Sequence, residues 1–537
     1  MTTCSCDVKR QMVVSDVHAE ATRNWLLRRA DWRFLLPGPR PATSVCFAKG
    51  GLAQAVALIC DRMFEPGQEP QSECDLAVAV NPNRATLSAA WAALRPGGAF
   101  YAEWYSPLAG GPRGVRRRLE AAGFSEIACY WPWPWTPQRP PLFWLPLEAP
   151  EALRFFLATR PRATSPWGRA RNGVLQATWR LGRRARLLLP ICAVARRPKA
   201  LERAPESNPL DMLPEQWSAW GLGPTPERIS WLLLTGGRRP INKVVGLVFG
   251  GSDSRPSLVV KRPRLPESVA ALAQEAAVLR AVEADRPGGM EGVPRVIFFH
   301  DRAGQTSLGE TLLTGEPLFR RLRRDNYREL GLKMTAWLAD LAGRTPARPR
   351  AEWWGRLVEA TLADFEQSFG PILDAERLRE TRAILATLGD LPLVCEQRDC
   401  SPWNVLIAPD GKLVVLDWES AEPRGLPALD LIYFLTYTAF FLDGAMETGR
   451  YRESYHAALD PATFTGGVLA ECQRRYLTLT GFDPAALRPL RLLAWIIHSH
   501  SDYKRLTAEV GGQPGPDTLR GSVFVSLWEE ELSQCPN

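Results

Sequence analysis

The sequence has no uninterrupted apolar run of about 18 residues, the length that crosses a membrane as a helix, so we expect no membrane span. The opening stretch MTTCSCDVKRQMVVSD has no apolar core of useful length, so no secretory signal is expected. The 11 cysteines do not follow the spacing of a metal site. They indicate reduced, mostly buried thiols and therefore a cytoplasmic protein.

The positive charge of the chain is concentrated in one region. The net charge is +8, and residues 151–203 alone carry thirteen Arg or Lys against two Glu, a local charge of +11. Within that region, residues 167–189 could form an amphipathic helix. One interpretation is a peripheral membrane or polyanion contact. The other is a solvated helix packed on its own domain. No nucleic-acid partner is expected.

The length and composition predict several globular domains. The chain has 537 residues, of which 45% are hydrophobic and 23% charged, and this is ordinary for globular proteins. Changes in pattern along the chain divide it into five parts. We predict a tail at 1–22, an α/β domain at 23–200, a linker at 201–228, a small lobe at 229–318 and a helical lobe at 319–537.

Residues 23–200 alternate between apolar strand patterns and helix patterns. We expect strands at 75–80 and 99–104, with a turn at 95–98 before the second strand. Alternation of this kind predicts an open sheet with helices on its faces. The segment 131–150 carries seven prolines, so we expect an extended loop there and neither a helix nor a central strand.

Three segments of this region, 74–83, 92–104 and 119–124, resemble the second half of class I methyltransferase domains. The resemblance implies a Rossmann-like sheet and, in principle, S-adenosylmethionine as a cofactor. The glycines at the cofactor end depart from the family, because Gly50 and Gly51 are adjacent and no full G-x-G-x-G pattern is present. We therefore favour a degenerate domain that keeps the fold and has lost the chemistry.

The most informative segment of the chain is 395–418, CEQRDCSPWNVLIAPDGKLVVLDW. Asp399, Asn404 and Asp417 follow one another at intervals typical of a catalytic base and two magnesium ligands in phosphoryl transfer. Between Asn404 and Asp417 lie two short apolar runs joined by Pro409-Asp410-Gly411. We expect a hairpin that returns Asn404 and Asp417 to the same end.

Residues 229–318 have the pattern of a nucleotide-binding lobe. Three antiparallel strands are predicted at 229–235, 243–249 and 257–261, and the first turn contains Gly236 and Gly237, which suits a lid over nucleotide phosphates. A further strand at 309–318 suits a hinge to the next lobe. Residues 319–390 are predicted to be helical.

Lys261 ends the third of these strands, and Glu275 lies in the middle of the predicted helix 268–284. A lysine on a strand and a glutamate on the next helix form the ion pair that holds the α- and β-phosphates in kinases. Either residue alone is more often an ordinary surface residue. Together with the segment 395–418, they favour the functional interpretation.

Residues 229–500 resemble the aminoglycoside phosphotransferase family, which includes choline-kinase-like enzymes, most specifically in QRDCSPWNVLI…LVVLDWESA…GLPALDLIYF. The resemblance implies a bilobal protein-kinase-like fold with a helical C-lobe. It implies Asp399 as base, Asn404 and Asp417 as metal ligands, and Lys261 as phosphate anchor with Glu275 as its partner. Asp430 would brace the catalytic loop.

Three further residues complete the predicted site. Glu419 is a weaker candidate near the metal ions. Gln397 and Arg398 stand where the family usually has His and Gly, and Gln can still supply a hydrogen bond. Arg398 could pair with a nearby carboxylate.

The sequence therefore predicts a multidomain α/β and α+β protein with an ATP- and Mg²⁺-dependent O-phosphotransferase. Its partners would be a nucleotide and a small hydroxylated acceptor such as a sugar or metabolite. Two alternatives stay open: a bifunctional methyltransferase–kinase, or a non-catalytic pseudoenzyme that serves as a binding module.

Overall fold

The computed structural model describes most of the chain and divides it into two compact units. It covers residues 22–36, 38–68, 71–105, 110–134, 140–159, 170, 173, 189–198, 216–237, 242–251, 253–302, 305–343, 345–510 and 512–534. The described residues of 22–273 and 296–312 form one unit, here called the sheet unit. The second unit, here called the helical unit, consists of the described residues of 274–295 and 313–534.

A mixed twelve-stranded sheet is the frame of the sheet unit. Its strands are β1 (Thr43–Cys46), β2 (Arg62–Phe64), β3 (Cys74–Val80), β4 (Leu94–Trp104), β5 (Ser125–Trp133), β6 (Phe143–Pro146), β7 (Ile191–Arg196), β8 (Ile229–Leu234), β9 (Val244–Gly250), β10 (Leu258–Arg262), β11 (Val296–Arg302) and β12 (Gln305–Glu310). Their order across the sheet is β11-β12-β10-β9-β8-β6-β5-β7-β4-β3-β1-β2.

One end of this sheet has the parallel pairing that the α/β pattern predicts. Strands β2, β1, β3 and β4 are parallel neighbours, whereas β7, β5, β6, β8, β9, β10, β12 and β11 continue the sheet with antiparallel pairs. Helices α1 (22–29), α2 (Gly51–Ala57), α3 (Arg84–Ala93), α4 (Gly111–Ala121) and α5 (Pro150–Thr159) belong to this part of the chain. The Rossmann-like assignment remains a prediction.

The expectation of a loop at 131–150 is wrong. Strand β5 continues through Pro132, and β6 lies in the interior of the sheet between β5 and β8. Proline is tolerated here because each one lies where its strand has a neighbour on one side only. Pro132 follows Tyr130, the last residue that β5 pairs with β7, and Pro146 lies beyond the two pairs, at 143 and 144, that join β6 to β8.

Strand β6 also joins strands that we predicted in separate domains. Phe143 pairs with Leu234 and Trp144 with Leu233, so the strands of 23–200 and those of 229–318 form one continuous sheet. Trp144, Leu233 and Val244 are buried in the same apolar cluster. The proposed domain boundaries at 200, 228 and 318 stay predictions.

The predicted strands of the small lobe are present as β8, β9 and β10, and the helix predicted at 268–284 runs over Val269–Asp285 (α6). One local expectation differs in form and another is wrong. Residues 95–98 fall within the bounds of β4, but they interrupt its ladder: the pairing with β3 passes from Cys74–Leu94 to Leu76–Ala99, and Gly97 has φ +80°, so the expected turn is an irregular segment at the start of the strand. The single strand expected at 309–318 is two elements, β12 and a short strand at Glu316–Pro317 (β13), with Gly315 between them. A methyl group at Gly315 would come within 2.8 Å of the Ile407 carbonyl oxygen.

The helical unit packs long helices around a buried central one. The remaining helices are α7 (Leu318–Arg321), α8 (Tyr327–Ala342), α9 (Ala360–Phe369), α10 (Ala375–Leu385), α11 (Leu429–Leu442), α12 (Ala445–Thr448), α13 (Tyr451–Leu459), α14 (Phe464–Thr480), α15 (Leu487–Val510), α16 (Pro516–Arg520) and α17 (Val523–Ser533). Helix α11 is buried over its first twelve residues, from Leu429 to Phe440. An element that is apolar all round is buried on all sides.

Short strands complete the helical unit. They are β14 (Ala347–Arg348), β15 (Leu391–Pro392), β16 (Val394–Glu396), β17 (Val405–Ile407), β18 (Leu413–Val415) and β19 (Glu422–Gly425). They form one three-stranded sheet, β13-β17-β18, and two pairs, β14-β15 and β16-β19.

Two expectations from the sequence can be compared with the described residues, and others fall largely outside them. Among these residues, no helix is long and apolar enough to span a bilayer. The eight cysteines that the structure describes are all free thiols. The predicted tail 1–22 and the amphipathic helix 167–189 lie almost wholly outside the described residues, and the basic region 151–203 is described only in part.

A buried histidine lies in the core of the helical unit. The His498 ring on α15 stacks on Tyr433 of α11 with centroids 3.8 Å apart. Burial, followed by the charge of Arg398, lowers the pKa of His498 to about 3. The folded protein therefore holds this imidazole neutral at pH values where the unfolded chain would protonate it.

We predict that His498→Phe weakens the acid sensitivity of folding. Between pH 6.5 and 3 the unfolded chain gains a proton that the folded chain cannot, so acid lowers the free energy of unfolding of the wild type. The slope from this one group is at most about 1.4 kcal/mol per pH unit. Melting temperatures of both proteins from pH 7 to pH 4 test this. Parallel curves would contradict it.

Candidate active site

The hairpin β17–β18 brings the two predicted metal ligands to the same end. Val405 pairs with Val415 at that end of the ladder. Asn404 directly precedes β17, and Asp417 follows the end of β18 by two residues. Between them, the Leu416 amide donates to the Asn404 carbonyl oxygen at 3.0 Å. The turn residues at 409–411 are at the opposite end, as the spacing of the apolar runs predicts.

Asp399 lies beside Asn404. The Asn404 amide nitrogen donates to the Asp399 Oδ2 atom at 2.7 Å and to its carbonyl oxygen at 3.1 Å. Burial, followed by the nearby charge of Asp417, raises the pKa of Asp399 to about 7, although the hydrogen bond from Asn404 acts in the opposite direction. A base whose pKa is close to neutral suits proton transfer near physiological pH.

Gln397 connects the catalytic loop to the metal-binding strand. Its side-chain oxygen accepts the Asp399 backbone amide at 2.8 Å. Its side-chain nitrogen donates to the carbonyl oxygens of Leu416 at 3.0 Å and Asp417 at 2.6 Å. Gln397 is fully buried, so these bonds form in an environment without competing water. An amide supplies both the donor and the acceptor that this position needs.

Asp430 holds the backbone of the loop. Its Oδ2 atom accepts the Gln397 amide at 2.6 Å, and its Oδ1 atom accepts the Arg398 amide at 2.7 Å. Burial raises the pKa of Asp430 to about 7, and the charge of Glu396 acts in the same direction. The two amide bonds favour the ionised form.

The backbone is left-handed at two positions of the site. Arg398 has φ +64° and Asp417 has φ +66°. Such conformations cost non-glycine residues on the order of 1–3 kcal/mol and persist where the surroundings enforce them. At Arg398 the enforcing contacts are the Asp430 hydrogen bond and the ion pair of its guanidinium with Glu396 at 2.8 Å.

Glu275 also touches this segment from within the helical unit. Its Oε1 atom accepts the Trp418 backbone amide at 3.0 Å. Trp418 is fully buried, and its indole nitrogen donates to the Val415 carbonyl oxygen at 3.0 Å. Glu275 thus contacts the residue that follows Asp417. Glu419 is half-buried, and its charge contributes to the raised pKa of Asp399.

The donor set fits a magnesium ion that is also held by phosphate oxygens. Within the described residues, no group of three His, Cys, Asp or Glu side chains could hold a metal by itself. Asn404 commits its amide nitrogen to Asp399, which leaves its amide oxygen to serve as a hard ligand. Mg²⁺ is usually held by one or two protein oxygens together with phosphate oxygens and water.

The sheet unit holds the other predicted nucleotide residues. The Lys261 Nζ atom lies 2.8 Å from the Glu310 Oε1 atom, and both side chains are buried. The predicted Lys261–Glu275 pair would join the two units and stays a prediction. Gly237 packs closely against Asn242, because a methyl group at Gly237 would lie 2.3 Å from the Asn242 Cβ atom. Gly236 is exposed and has no atom within 4 Å of such a methyl group.

Two residues of these networks were not among the site residues predicted from the sequence. Glu310 pairs with Lys261, and the signal for it was a carboxylate in the strand that neighbours β10. Glu396 is buried, accepts the Arg398 guanidinium and accepts the Leu426 amide. Its signal was an acidic residue directly before the Gln397-Arg398-Asp399 run.

Several solved structures are similar to this chain at low identity. The gentamicin–APH(2'')-IIa complex is 14% identical, covers 60% of this chain and 96% of its own, and has a TM-score of 0.33. APH(3'')-Id from Streptomyces rimosus, with ADP and streptomycin, is 16% identical, covers 53% and 97%, and has a TM-score of 0.33. A thermostable mutant of APH(4)-Ia, with AMP-PNP and hygromycin B, is 13% identical, covers 57% and 95%, and has a TM-score of 0.36. A search of the curated proteins finds no match.

The sequence match to a family is confined to one part of the chain. Residues 247–466 match APH, the Phosphotransferase enzyme family. This range begins within β9 and includes β10, Asp399, the hairpin β17–β18 and Asp430. Residues 247–466 therefore carry a phosphotransferase domain of the APH family.

Proposed function

We propose that this protein is an ATP- and Mg²⁺-dependent O-phosphotransferase that acts on a small hydroxylated acceptor. The observation that carries the proposal is the hydrogen-bonded set of Asp399, Asn404 and Gln397 at one end of the β17–β18 hairpin. In this set the proposed base is joined to the proposed ligand Asn404, and Gln397 reaches the backbone of the second proposed ligand, Asp417, within a domain that matches a phosphotransferase family. Phosphoryl transfer is catalysed mainly by positioning and by stabilisation of charge.

In this proposal Asp399 accepts the proton of the acceptor hydroxyl. Asn404 holds one oxygen of the carboxylate, so the other oxygen is directed to the acceptor. The Gln397 side chain sets the direction of the Asp399 backbone through its amide. The raised pKa of Asp399, about 7, strengthens it as a base, and the ionised form that accepts a proton predominates above neutral pH.

Asn404 and Asp417 would hold magnesium, which supplies positive charge to the phosphate oxygens when it is bound. Gln397 orients the Asp417 end of this pair, because it donates to the Asp417 carbonyl oxygen at 2.6 Å. In the sheet unit, Lys261 would neutralise the phosphates of the nucleotide, and the turn at Gly236 and Gly237 would approach them with its backbone.

A sugar or a similar ring-bearing metabolite is the acceptor class that we propose. Trp403 lies four residues after Asp399, is 40% exposed, and packs edge-on against Tyr437 at 5.9 Å between centroids. An exposed indole four residues along the chain from the proposed base would offer a flat apolar surface to one face of a ring.

The N-terminal sheet gives little support for the bifunctional alternative. The Trp25 ring covers Gly51, since a methyl group at Gly51 would lie 2.9 Å from it. At the carboxyl end of β4, the Glu103 carboxylate is held by Arg29 in two hydrogen bonds of 2.7 Å and 2.6 Å. Ligands of open α/β sheets bind outside this edge. Side chains of α1 therefore occupy the region where a cofactor would bind.

We predict that Asp399→Asn lowers phosphoryl transfer by about 10²–10⁴-fold, the usual contribution of a general base. Mg·ATP binding should persist, because the substitution keeps the size and the hydrogen-bonding shape of the side chain. The measurement is turnover with an acceptor found by screening hydroxylated compounds. Asp410→Asn, on the exposed turn of the same hairpin, is the matched control and should keep full activity. Equal turnover by Asp399→Asn and wild type would remove this mechanism.

Asp417→Asn should abolish the magnesium-dependent part of nucleotide binding. A lost carboxylate ligand should cost at least as much as the roughly 10- to 100-fold loss caused by changes around metal ligands. Titration calorimetry with ATP in Mg²⁺ and in EDTA measures this part directly. If the variant keeps the wild-type difference between the two conditions, Asp417 is not a metal ligand.

Titration calorimetry with S-adenosylmethionine should give no heat with the full chain, because Trp25 and Arg29 fill the edge of the sheet. A thermal shift with the same compound serves as the second measurement. Saturable binding with one site per chain would restore the bifunctional alternative.

A further inference from the structure

The N-terminal segment of the sheet unit is tied to the small lobe by a buried ion pair. Asp31 begins a 3₁₀ helix at Asp31–Leu35, and Arg264 follows β10 by two residues. The Arg264 Nε and Nη2 atoms donate to the two oxygens of Asp31, each at 3.0 Å. Both side chains are 0% exposed. This is the bidentate geometry for which the guanidinium fork is suited.

The same guanidinium reaches the turn that carries Gly236 and Gly237. Its Nη2 atom donates to the Thr235 carbonyl oxygen at 3.4 Å. Its Nη1 atom donates to the carbonyl oxygens of Gly237 at 3.4 Å and Asn242 at 3.2 Å. Thr235 and Gly237 enter the turn and Asn242 leaves it. Arg264 therefore holds both described ends of the turn while Asp31 holds Arg264.

Two further arginines strengthen the contact between these segments. Arg33 donates to the Arg264 carbonyl oxygen at 2.9 Å, and Arg262 donates to the Phe34 carbonyl oxygen at 3.3 Å. Burial lowers the pKa of Arg33 and of Arg262 to about 10. Asp31 lies 3.7 Å from Arg33 as well as against Arg264, so one carboxylate offsets two buried cations.

The contacts with carbonyl oxygens satisfy the buried guanidinium and also fix the position of one turn. A buried pair between two packed elements contributes little to stability unless its remaining hydrogen-bonding groups are satisfied. Here the remaining donors of Arg264 are directed at the backbone of a single turn. Lysine has no planar fork and could pair with Asp31 without spanning that turn.

We propose that Asp31 and Arg264 are positioning residues of the nucleotide site, with Asp31 holding Arg264 so that its guanidinium sets the backbone of the Gly236–Gly237 turn over the phosphates. The inference rests on the proposed function, in which this turn approaches the nucleotide. It makes the N-terminal segment a working part of the phosphotransferase, although residues 31–35 lie outside the family match at 247–466.

Arg264→Lys in the full chain is the decisive variant, and Mg·ATP is the probe. We expect the Kd for Mg·ATP to rise about tenfold, the effect of losing one or two hydrogen bonds. The number of binding sites per chain should stay at the wild-type value. Asp31→Asn should act in the same direction. Glu148→Gln is the matched control, because it alters an ion pair of the same unit, with Arg116 at 2.6 Å, that lies away from the turn.

Hydrogen exchange of the segment 235–242 gives a second readout on the same proteins. Faster exchange there in Arg264→Lys, together with the weaker Kd, supports the inference. An unchanged Kd with fewer active sites is the result of a purely structural role and would overturn it. If Asp31→Asn does not fold, Arg264→Lys decides alone. A wild-type chain that binds no Mg·ATP overturns the proposed function and this inference together, whereas wild-type binding with an unaltered Arg264→Lys Kd overturns only the inference.

Discussion

The buried carboxylate of Asp430 is the constraint on which the catalytic geometry depends. Its two oxygens accept two consecutive backbone amides, those of Gln397 and Arg398, and so set the direction of the chain just before Asp399. These two hydrogen bonds hold Arg398 in its left-handed conformation. Because Gln397 in turn reaches the Asp417 carbonyl oxygen, one buried carboxyl group determines how Asp399 and the segment that carries Asp417 face each other.

The N-terminal region and the strands of the predicted small lobe belong to one unit. The sheet of the N-terminal region and the strands of the small lobe share hydrogen bonds through β6 and β8, and Asp31 neutralises Arg264 across the same unit. Under the proposal above, this pair lets the first helical segments of the chain shape the turn at Gly236 and Gly237. The proposed phosphotransferase site would then extend beyond the part of the chain that matches the family.

Much of the fold could be predicted because it depends on local patterns. The hairpin β17–β18, the strands β8 to β10 and the helix with Glu275 all follow from apolar runs and turn residues that are close in sequence. The strand β6 could not be predicted, since proline density in 131–150 argues against a central strand. It forms because Pro132 and Pro146 fall where each strand has only one neighbour, and register of that kind is a property of the assembled sheet.

The sequence by itself determined which residues carry the candidate chemistry. The candidate residues lie within a segment of nineteen residues that contains Asp399, Asn404 and Asp417. The hairpin between Asn404 and Asp417 brings these two residues to the same end. Only the tertiary structure decided the partners that come from distant segments: Glu310 for Lys261, and Asp31 for Arg264. Any of many carboxylates could have paired with either cation. The choice depends on which strands become neighbours and which side chains they bury together, and no local pattern encodes that.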